Sequence, residues 1–379
     1  MTLGPAGALK YMLAPYGKGM LGKGSYSIVY RATEEGSGRT VAIKKSRVSN
    51  LVKRPTLRHE ARLLELLKGQ AAIPAVYGYG QLEHFEYMSM ELLGSSVAEL
   101  RKDDAGVTVK TVIRIMDQAL AVLEHIHSLG IVHRDIKPEN FLFALDDPST
   151  IKLIDFGISK PFSRDKSTAL KKYDPLKERR HIVGTLYWAS LNSHNGEDLA
   201  PRDDIESLAF VGFFLLRGNL PWKPRPRMES QLRSQEIVRA MKAACSGPDL
   251  SAGFPKEFGE LLTYSRSLAY DELPGHGALR KSFSSLADGL GLSLDGGPFD
   301  WTPCYPQTTN PIPDEPTVSV PDEDEDGGGD DGLGEDSYYG TDVDIWDRQG
   351  ERDKDLTLPA EKEAELDSVI PLIEEVQRD

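Results

Sequence analysis

Cysteine is scarce in this 379-residue chain, with Cys245 and Cys304 its only two. That count excludes a disulfide framework and a cysteine-rich metal site, and it points to a reducing compartment: cytoplasm, nucleus or both. No apolar run of about 18 residues exists anywhere, so no membrane partner is expected. The first fifteen residues hold one Lys and no sustained apolar core before a small-residue cleavage site, so a secretory signal is not expected. Thr2 stands where N-myristoylation requires glycine. Internal repeats are also missing.

What the chain does have is a split in charge. Residues 301–379 carry 24 Asp and Glu against 5 Lys and Arg, a charge of −19, so residues 1–300 carry +5 of the overall −14. The acidic pI therefore describes the tail, and a mildly basic body still attracts phosphates.

Hydrophobic patterning divides the body. Ile28-Val29-Tyr30, the turn Gly36-Ser37-Gly38 and Val41-Ala42-Ile43 read as strand, hairpin and strand, and residues 73–93 return to short β-type runs. Between them, 58–67 has helical spacing. Beyond Gly94 the period lengthens. Residues 109–129 form a long helical stripe, 205–216 a nearly all-apolar helix of the buried kind, and 229–244, 256–268 and 276–290 are further helices. After Trp301 come Pro-rich spacing and the acidic run 322–326, a composition that buries too little apolar surface to offset ordering entropy. The expected architecture is α+β: an N-terminal extension (1–15), a β-rich lobe with one helix (16–93), a larger helical lobe (94–301) and a disordered acidic tail (302–379).

Four short motifs carry chemistry. In Gly22-Lys23-Gly24-Ser25-Tyr26-Ser27, small residues between two strands let backbone N–H groups approach phosphates. An ordinary glycine-rich hairpin fits the same stretch. A dinucleotide-binding fingerprint fits worse, since it opens a helix and needs an acidic residue about 20 positions on, where this chain has Lys44. Val41-Ala42-Ile43-Lys44 ends an apolar strand on a cation, which needs a neutralising partner if it points inward. Glu60 and a phosphate ligand are the candidates, and a solvated edge-strand lysine is the alternative.

The third motif is the most specific. His133-Arg134-Asp135-Ile136-Lys137-Pro138-Glu139-Asn140 places a proton acceptor (Asp135), a phosphate clamp (Lys137) and an amide metal ligand (Asn140) in one loop. Fifteen residues further, Asp155-Phe156-Gly157 follows the apolar run 151–154, which sets a carboxylate at a strand end where it can hold Mg²⁺.

Together these residues resemble a eukaryotic protein kinase from about Tyr16 to Trp301. The resemblance implies a two-lobed kinase fold with ATP and Mg²⁺ as cofactors and protein hydroxyls as acceptors. It implies a phosphate-anchoring pair Lys44 and Glu60, a catalytic base Asp135, a γ-phosphate contact Lys137, and Mg²⁺ ligands Asn140 and Asp155. Leu21, Gly22, Lys23, Gly24, Ser25, Val29, Ala42 and Leu142 would line the nucleotide site, with Met90, Glu91 and Leu93 at the hinge. Lys137, two positions after the catalytic Asp, resembles serine/threonine rather than tyrosine kinases. A monomer with no nucleic-acid partner is expected.

Where most kinases carry Ala-Pro-Glu, this chain reads Ala189-Ser190-Leu191-Asn192, followed by Arg202-Asp203-Asp204-Ile205-Glu206-Ser207-Leu208. That is similar to the casein kinase 1 family, as are Leu220-Pro221-Trp222 and Phe299-Asp300-Trp301. In that family Asp204 would hold the catalytic-loop backbone. A departure touches substrate choice: the family usually has Arg where this chain has Tyr187, and that Arg helps bind an anion upstream of the target hydroxyl. Residues 160–181 carry eight Lys and Arg against three Asp and Glu, so Lys171, Lys172, Arg179 and Arg180 are candidates for a compensating surface for acidic or phospho-primed substrates. A solvated loop or a nuclear-localisation signal fits the same cluster. In the tail, Ser337 and Ser368 sit in acidic contexts, which suggests a pseudosubstrate contact with the body; an inert solubilising tail is the alternative. A catalytically dead scaffold would degrade the catalytic set, which is intact here, and a small-molecule phosphotransferase would lack the protein-kinase activation segment.

Overall fold

The computed structural model describes residues 2–3, 11–13, 19–24, 27–47, 57–82, 85–101, 107–162, 182–223 and 231–294. The acidic tail, Ser25, most of the basic stretch 160–181 and Phe299-Asp300-Trp301 lie outside them.

The N-terminal part is an antiparallel sheet of β1 (Thr2–Leu3), β2 (Tyr11–Leu13), β3 (Met20–Lys23), β4 (Ser27–Glu34), β5 (Thr40–Arg47), β6 (Val76–Leu82) and β7 (Phe85–Glu91). The strand order is β1-β2-β4-β5-β7-β6, with β3 also pairing β4. Gly36 and Gly38, both at positive φ, turn the chain between β4 and β5. One helix, α1 (Leu57–Leu66), packs on β6 and β7.

Val41-Ala42-Ile43 is buried at every residue, without alternation, because both sheet faces are covered. Val41 and Ile43 pack with Tyr11, Ala32 and Tyr87 on one face, while Ala42 and Met90 join the main core on the other. Tyr11 anchors β2 through a 2.6 Å hydrogen bond between its hydroxyl and Ser89 Oγ. The sheet therefore begins ahead of Tyr16.

The C-terminal part is mainly helical: α2 (Val109–Ser128), α3 (Leu191–Asn195), α4 (Pro201–Arg217), α5 (Gln231–Ala244), α6 (Gly247–Ser251), α7 (Lys256–Ser267) and α8 (His276–Gly289). Two strand pairs, β8 (Ile131–Val132) with β11 (Lys160–Pro161) and β9 (Phe141–Phe143) with β10 (Ile151–Leu153), frame the loop 133–140. α4 runs through the core and starts a turn earlier than its apolar stripe, since Pro201 sits in its first turn and Asp203 Oδ2 accepts the Ala200 N–H at 2.8 Å. The one-turn helices α3 and α6 are too short to show a period; Ser190 and Ser246 cap them. Among the described residues, no helix is long and apolar enough to cross a membrane.

Candidate active site

Loop 133–140 is held by α4. Asp204 Oδ2 accepts the His133 backbone N–H at 2.8 Å, and Oδ1 accepts that of Arg134 at 2.8 Å. Arg134 sits at φ 72°, a left-handed conformation that costs a non-glycine residue about 1–3 kcal/mol. The Asp204 bonds and the bond from Arg134 Nε to Ile158 O (2.7 Å) offset that strain.

Asp135 is the centre of this loop. Its Oδ1 accepts the Thr185 N–H at 3.0 Å and the Thr185 hydroxyl at 2.9 Å, and its Oδ2 lies 2.8 Å from Lys137 Nζ. Lys137 also donates to Thr185 Oγ1 at 3.0 Å. Asn140 Nδ2 donates to the Asp135 carbonyl at 2.8 Å. Thr185 reaches the carboxylate because Gly184, at φ 91°, lies so close to the loop that a Cβ there would stand 2.5 Å from Arg134 O.

Lys44 and Asp155 form a second cluster. Lys44 Nζ donates to both Glu60 oxygens (2.9 and 2.7 Å) and to Asp155 Oδ1 (2.8 Å). The cation that ends the apolar strand is thus neutralised from α1, as expected, and also from the segment after β10. Burial works against the Lys44 charge, but Asp155 and Glu60 outweigh it and hold its pKa above the ordinary lysine value. Burial likewise resists ionisation of Asp155, yet its side chain is 41 % exposed and Lys44 and Lys137 hold its pKa below the usual carboxylate range. Asp155 lies at φ 68°, a second non-glycine residue in the left-handed region.

Asn140 and Asp155 are neighbours, because Ile154 N donates to Asn140 O at 2.9 Å. With the Asn140 amide nitrogen used on Asp135, its oxygen is the atom left for a ligand. One carboxylate and one amide oxygen, completed by phosphate oxygens and water, suit a hard divalent cation.

The sheet register brings several residues of the expected nucleotide site to one face. Gly22 pairs with Val29, Val29 with Lys44, and Ala42 with Met90, so Val29, Ala42, Lys44 and Met90 share one face. Met90 and Ala42 are buried, Leu142 and Leu93 half-buried, and Leu21 and Lys23 exposed. A Cβ on Gly22 would meet nothing within 4 Å, which leaves room for a ligand against that backbone. The Glu91 carboxylate is engaged elsewhere: it accepts the Ala75 N–H at 3.0 Å and Lys152 Nζ at 2.9 Å.

Thr185 and Lys242 escape motif reading. Lys242 on α5, fully buried, donates to Leu186 O (2.8 Å) and Ala189 O (2.7 Å) and lies 3.1 Å from His194 Nε2, pinning the segment that carries Thr185. Tyr187 lies on that segment. Its carbonyl accepts Trp222 Nε1–H at 2.9 Å, and the Lys223 ammonium stands 5.4 Å from its ring.

A sheet-rich lobe set on a helical one, with a lysine-carboxylate cluster and an Asp-Lys-Asn loop between them, defines a protein kinase. The family model for the protein kinase domain matches residues 17–267, and the chain belongs to that family. Within it the chain is similar to Casein kinase I homolog 1 of Saccharomyces cerevisiae, with 35 % identity over 286 residues, 74 % of this chain and 52 % of that protein. The chain thus spans about half the length of that curated relative.

Proposed function

We propose that this protein is an ATP-dependent serine/threonine kinase of casein kinase 1 type that transfers the γ-phosphoryl of Mg-ATP to hydroxyls in acidic or phospho-primed proteins. The observation that carries this reading is the convergence of Lys137, Thr185 and Asn140 on Asp135, beside the cluster of Lys44, Glu60 and Asp155. Asp135 is the base: it orients the acceptor hydroxyl and takes its proton late, as the oxygen bonds to the γ-phosphorus and the bond to the β–γ bridging oxygen breaks, releasing ADP. Lys137 faces the transferring group and Lys44 the other phosphates, so two fixed cations meet the spreading negative charge. Glu60 keeps Lys44 extended. Asn140 and Asp155 would hold Mg²⁺, which when bound would supply positive charge to phosphate oxygens.

The acidic preference is supported by the eight Lys and Arg of residues 160–181 and by Lys223 beside Tyr187. In the same reading the −19 tail is a competitor for that basic surface. The test uses labelled ATP with casein, with and without chelator, and paired peptides with Asp, phosphoserine or Ala upstream of the target. Metal-dependent transfer with a preference for the anionic peptides supports the reading. Equal use of the three peptides removes the substrate preference, and no transfer under any condition removes the kinase activity.

A further inference from the structure

β7 ends at Glu91, and the chain that follows is strapped to the pair β9 and β10. Gly94 N–H donates to Phe143 O at 2.8 Å, Phe143 N–H donates to Ser95 O at 3.0 Å, and Ser96 bridges Leu142. A Cβ on Gly94 would stand 3.2 Å from Phe143 O, so the two backbones approach closely. Leu153 N–H donates to Ala72 O at 2.9 Å, which ties the segment between α1 and β6 to the same strand pair.

An ion pair crosses this junction. Lys152 Nζ lies 2.8 Å from Glu91 Oε1 and 2.9 Å from Oε2. The same Oε2 accepts the Ala75 N–H at 3.0 Å, while Glu91 N–H donates to Ala75 O at 2.8 Å. The end of β7, the segment before β6 and β10 thus meet at one carboxylate. The Lys152 and Glu91 side chains are 14 % and 19 % exposed, so their attraction is less screened than on an open surface. Lys152 is the register partner of Leu142, and residues directly opposed in an antiparallel pair project to one face. Lys152 and Leu142 are half-buried while their neighbours Ile151, Leu153, Phe141 and Phe143 are buried on the other face. The lysine therefore lies on the side of the strand pair that carries Leu142 toward the expected nucleotide site.

We propose that Lys152 is a positioning residue for the nucleotide: its ion pair with Glu91 fixes hinge residues 91–93 against β10 and so sets the width of the slot that receives the ATP base. This rests on the reading of that slot as an ATP site. Backbone bonds hold the hinge from Gly94 onward, and the Glu91 carboxylate holds its β7 end, so Leu92 and Leu93 lie between two anchors. Removing Lys152 leaves a partly buried carboxylate without its counter-charge, and that carboxylate gains by turning out to water. Such a turn also gives up the Ala75 bond and loosens the slot at its base end. The phosphate end is built from Lys44, Asp155 and loop 133–140, which the pair does not hold. The loss therefore falls on nucleotide affinity and not on the transfer step.

The experiment uses the full chain, with Mg-ATP affinity read by titration calorimetry and turnover read on casein. Lys152→Met keeps most of the aliphatic length and removes the charge. It is expected to raise Kd and KM for ATP about three- to tenfold, the scale of a partly buried charged hydrogen bond, with kcat within about twofold of the parent. Lys152→Arg keeps a cation that carboxylates accept, and its Kd is expected within about twofold of the parent. Glu91→Gln, whose amide oxygen still accepts the Ala75 N–H, is expected to match Lys152→Met. The double variant is expected to be no weaker than either single one, since all three lose one shared interaction. An unchanged Kd in Lys152→Met overturns the proposal, as do losses that multiply in the double variant. If Lys152→Met does not fold, Glu91→Gln and Lys152→Arg decide, and equal Kd in those two overturns it. A parent that binds no ATP removes the ATP reading and the proposal with it, whereas a parent that binds while every variant keeps its Kd removes the proposal alone.

Discussion

Lys44 Nζ lies 2.8 Å from Oδ1 of Asp155, a residue 111 positions further along the chain. One ammonium thereby joins the β-rich lobe to the segment that follows β10, and Glu60 completes its shell from α1. Lys44→Met removes the cation while keeping its aliphatic length. The expected loss in kcat/KM is about 10²–10³-fold, the scale of deleting one charge-stabilising donor, with the folded state retained in the circular dichroism spectrum. Activity within a few-fold of the parent would contradict the role given to Lys44.

Thr185 separates a hydroxyl effect from a backbone effect. Its N–H and its hydroxyl both reach Asp135 Oδ1, and only the second is lost in Thr185→Ala. A hydrogen bond to a charged group is worth about 1.5–3 kcal/mol, so kcat should fall roughly ten- to a hundredfold. Thr185→Ser keeps the hydroxyl and should stay near the parent rate. Steady-state kinetics on casein read both.

Lys242 is a buried amine that donates to the Leu186 and Ala189 carbonyls and lies 3.1 Å from His194 Nε2, while burial drives its pKa well below the ordinary lysine value. Lys242→Met leaves the Leu186 and Ala189 carbonyls without that donor, at about 1–3 kcal/mol for each buried unpaired group. Urea unfolding should show a destabilisation of about 2–4 kcal/mol, and KM for the protein substrate should rise more than KM for ATP. Lys242→Arg should not restore it, because a planar fork does not fit partners that converge on a single nitrogen.

His276 also predicts a pH dependence. Its pKa near 4 in the folded chain lies below the 6.5 of an ordinary histidine, so between those values the unfolded chain binds the extra proton. The stabilisation is fully present above pH 6.5 and is lost as pH falls toward 4. Asp203 works the other way: burial raises its pKa to about 6, so its native form gains protons, and relative stability, as pH falls through that value. The comparison is therefore between variant and parent. From pH 7.5 to 4.5, His276→Gln should lose about 2–3 kcal/mol less stability than the parent, as measured by denaturant unfolding. An equal loss in both would contradict the buried neutral state of His276.

The grouping of Asp135, Lys137 and Asn140 was legible in the sequence because the three side chains lie within residues 135–140. The long helices α2 and α4 were legible because a sustained period is a local signal. Lys242 was not, since one lysine on an amphipathic helix reads as a solvated face until Leu186 and Ala189 are folded onto it from more than fifty residues away. His276 is hidden for the same reason, its partner His127 lying 149 residues earlier. The short strands β1, β2 and β3 carry too few residues to show alternation. Asp204 was placed correctly by resemblance, and the structure gives the physical cause in its two backbone bonds to the loop.

The most direct measurement is transfer of labelled phosphate from ATP to serine and threonine of casein by the parent and by Asp135→Asn, followed by phosphoamino-acid analysis. The account predicts labelled phosphoserine or phosphothreonine with the parent and a rate lower by about 10²–10⁴-fold with the variant. Equal transfer by the two proteins, or label on tyrosine alone, would contradict it.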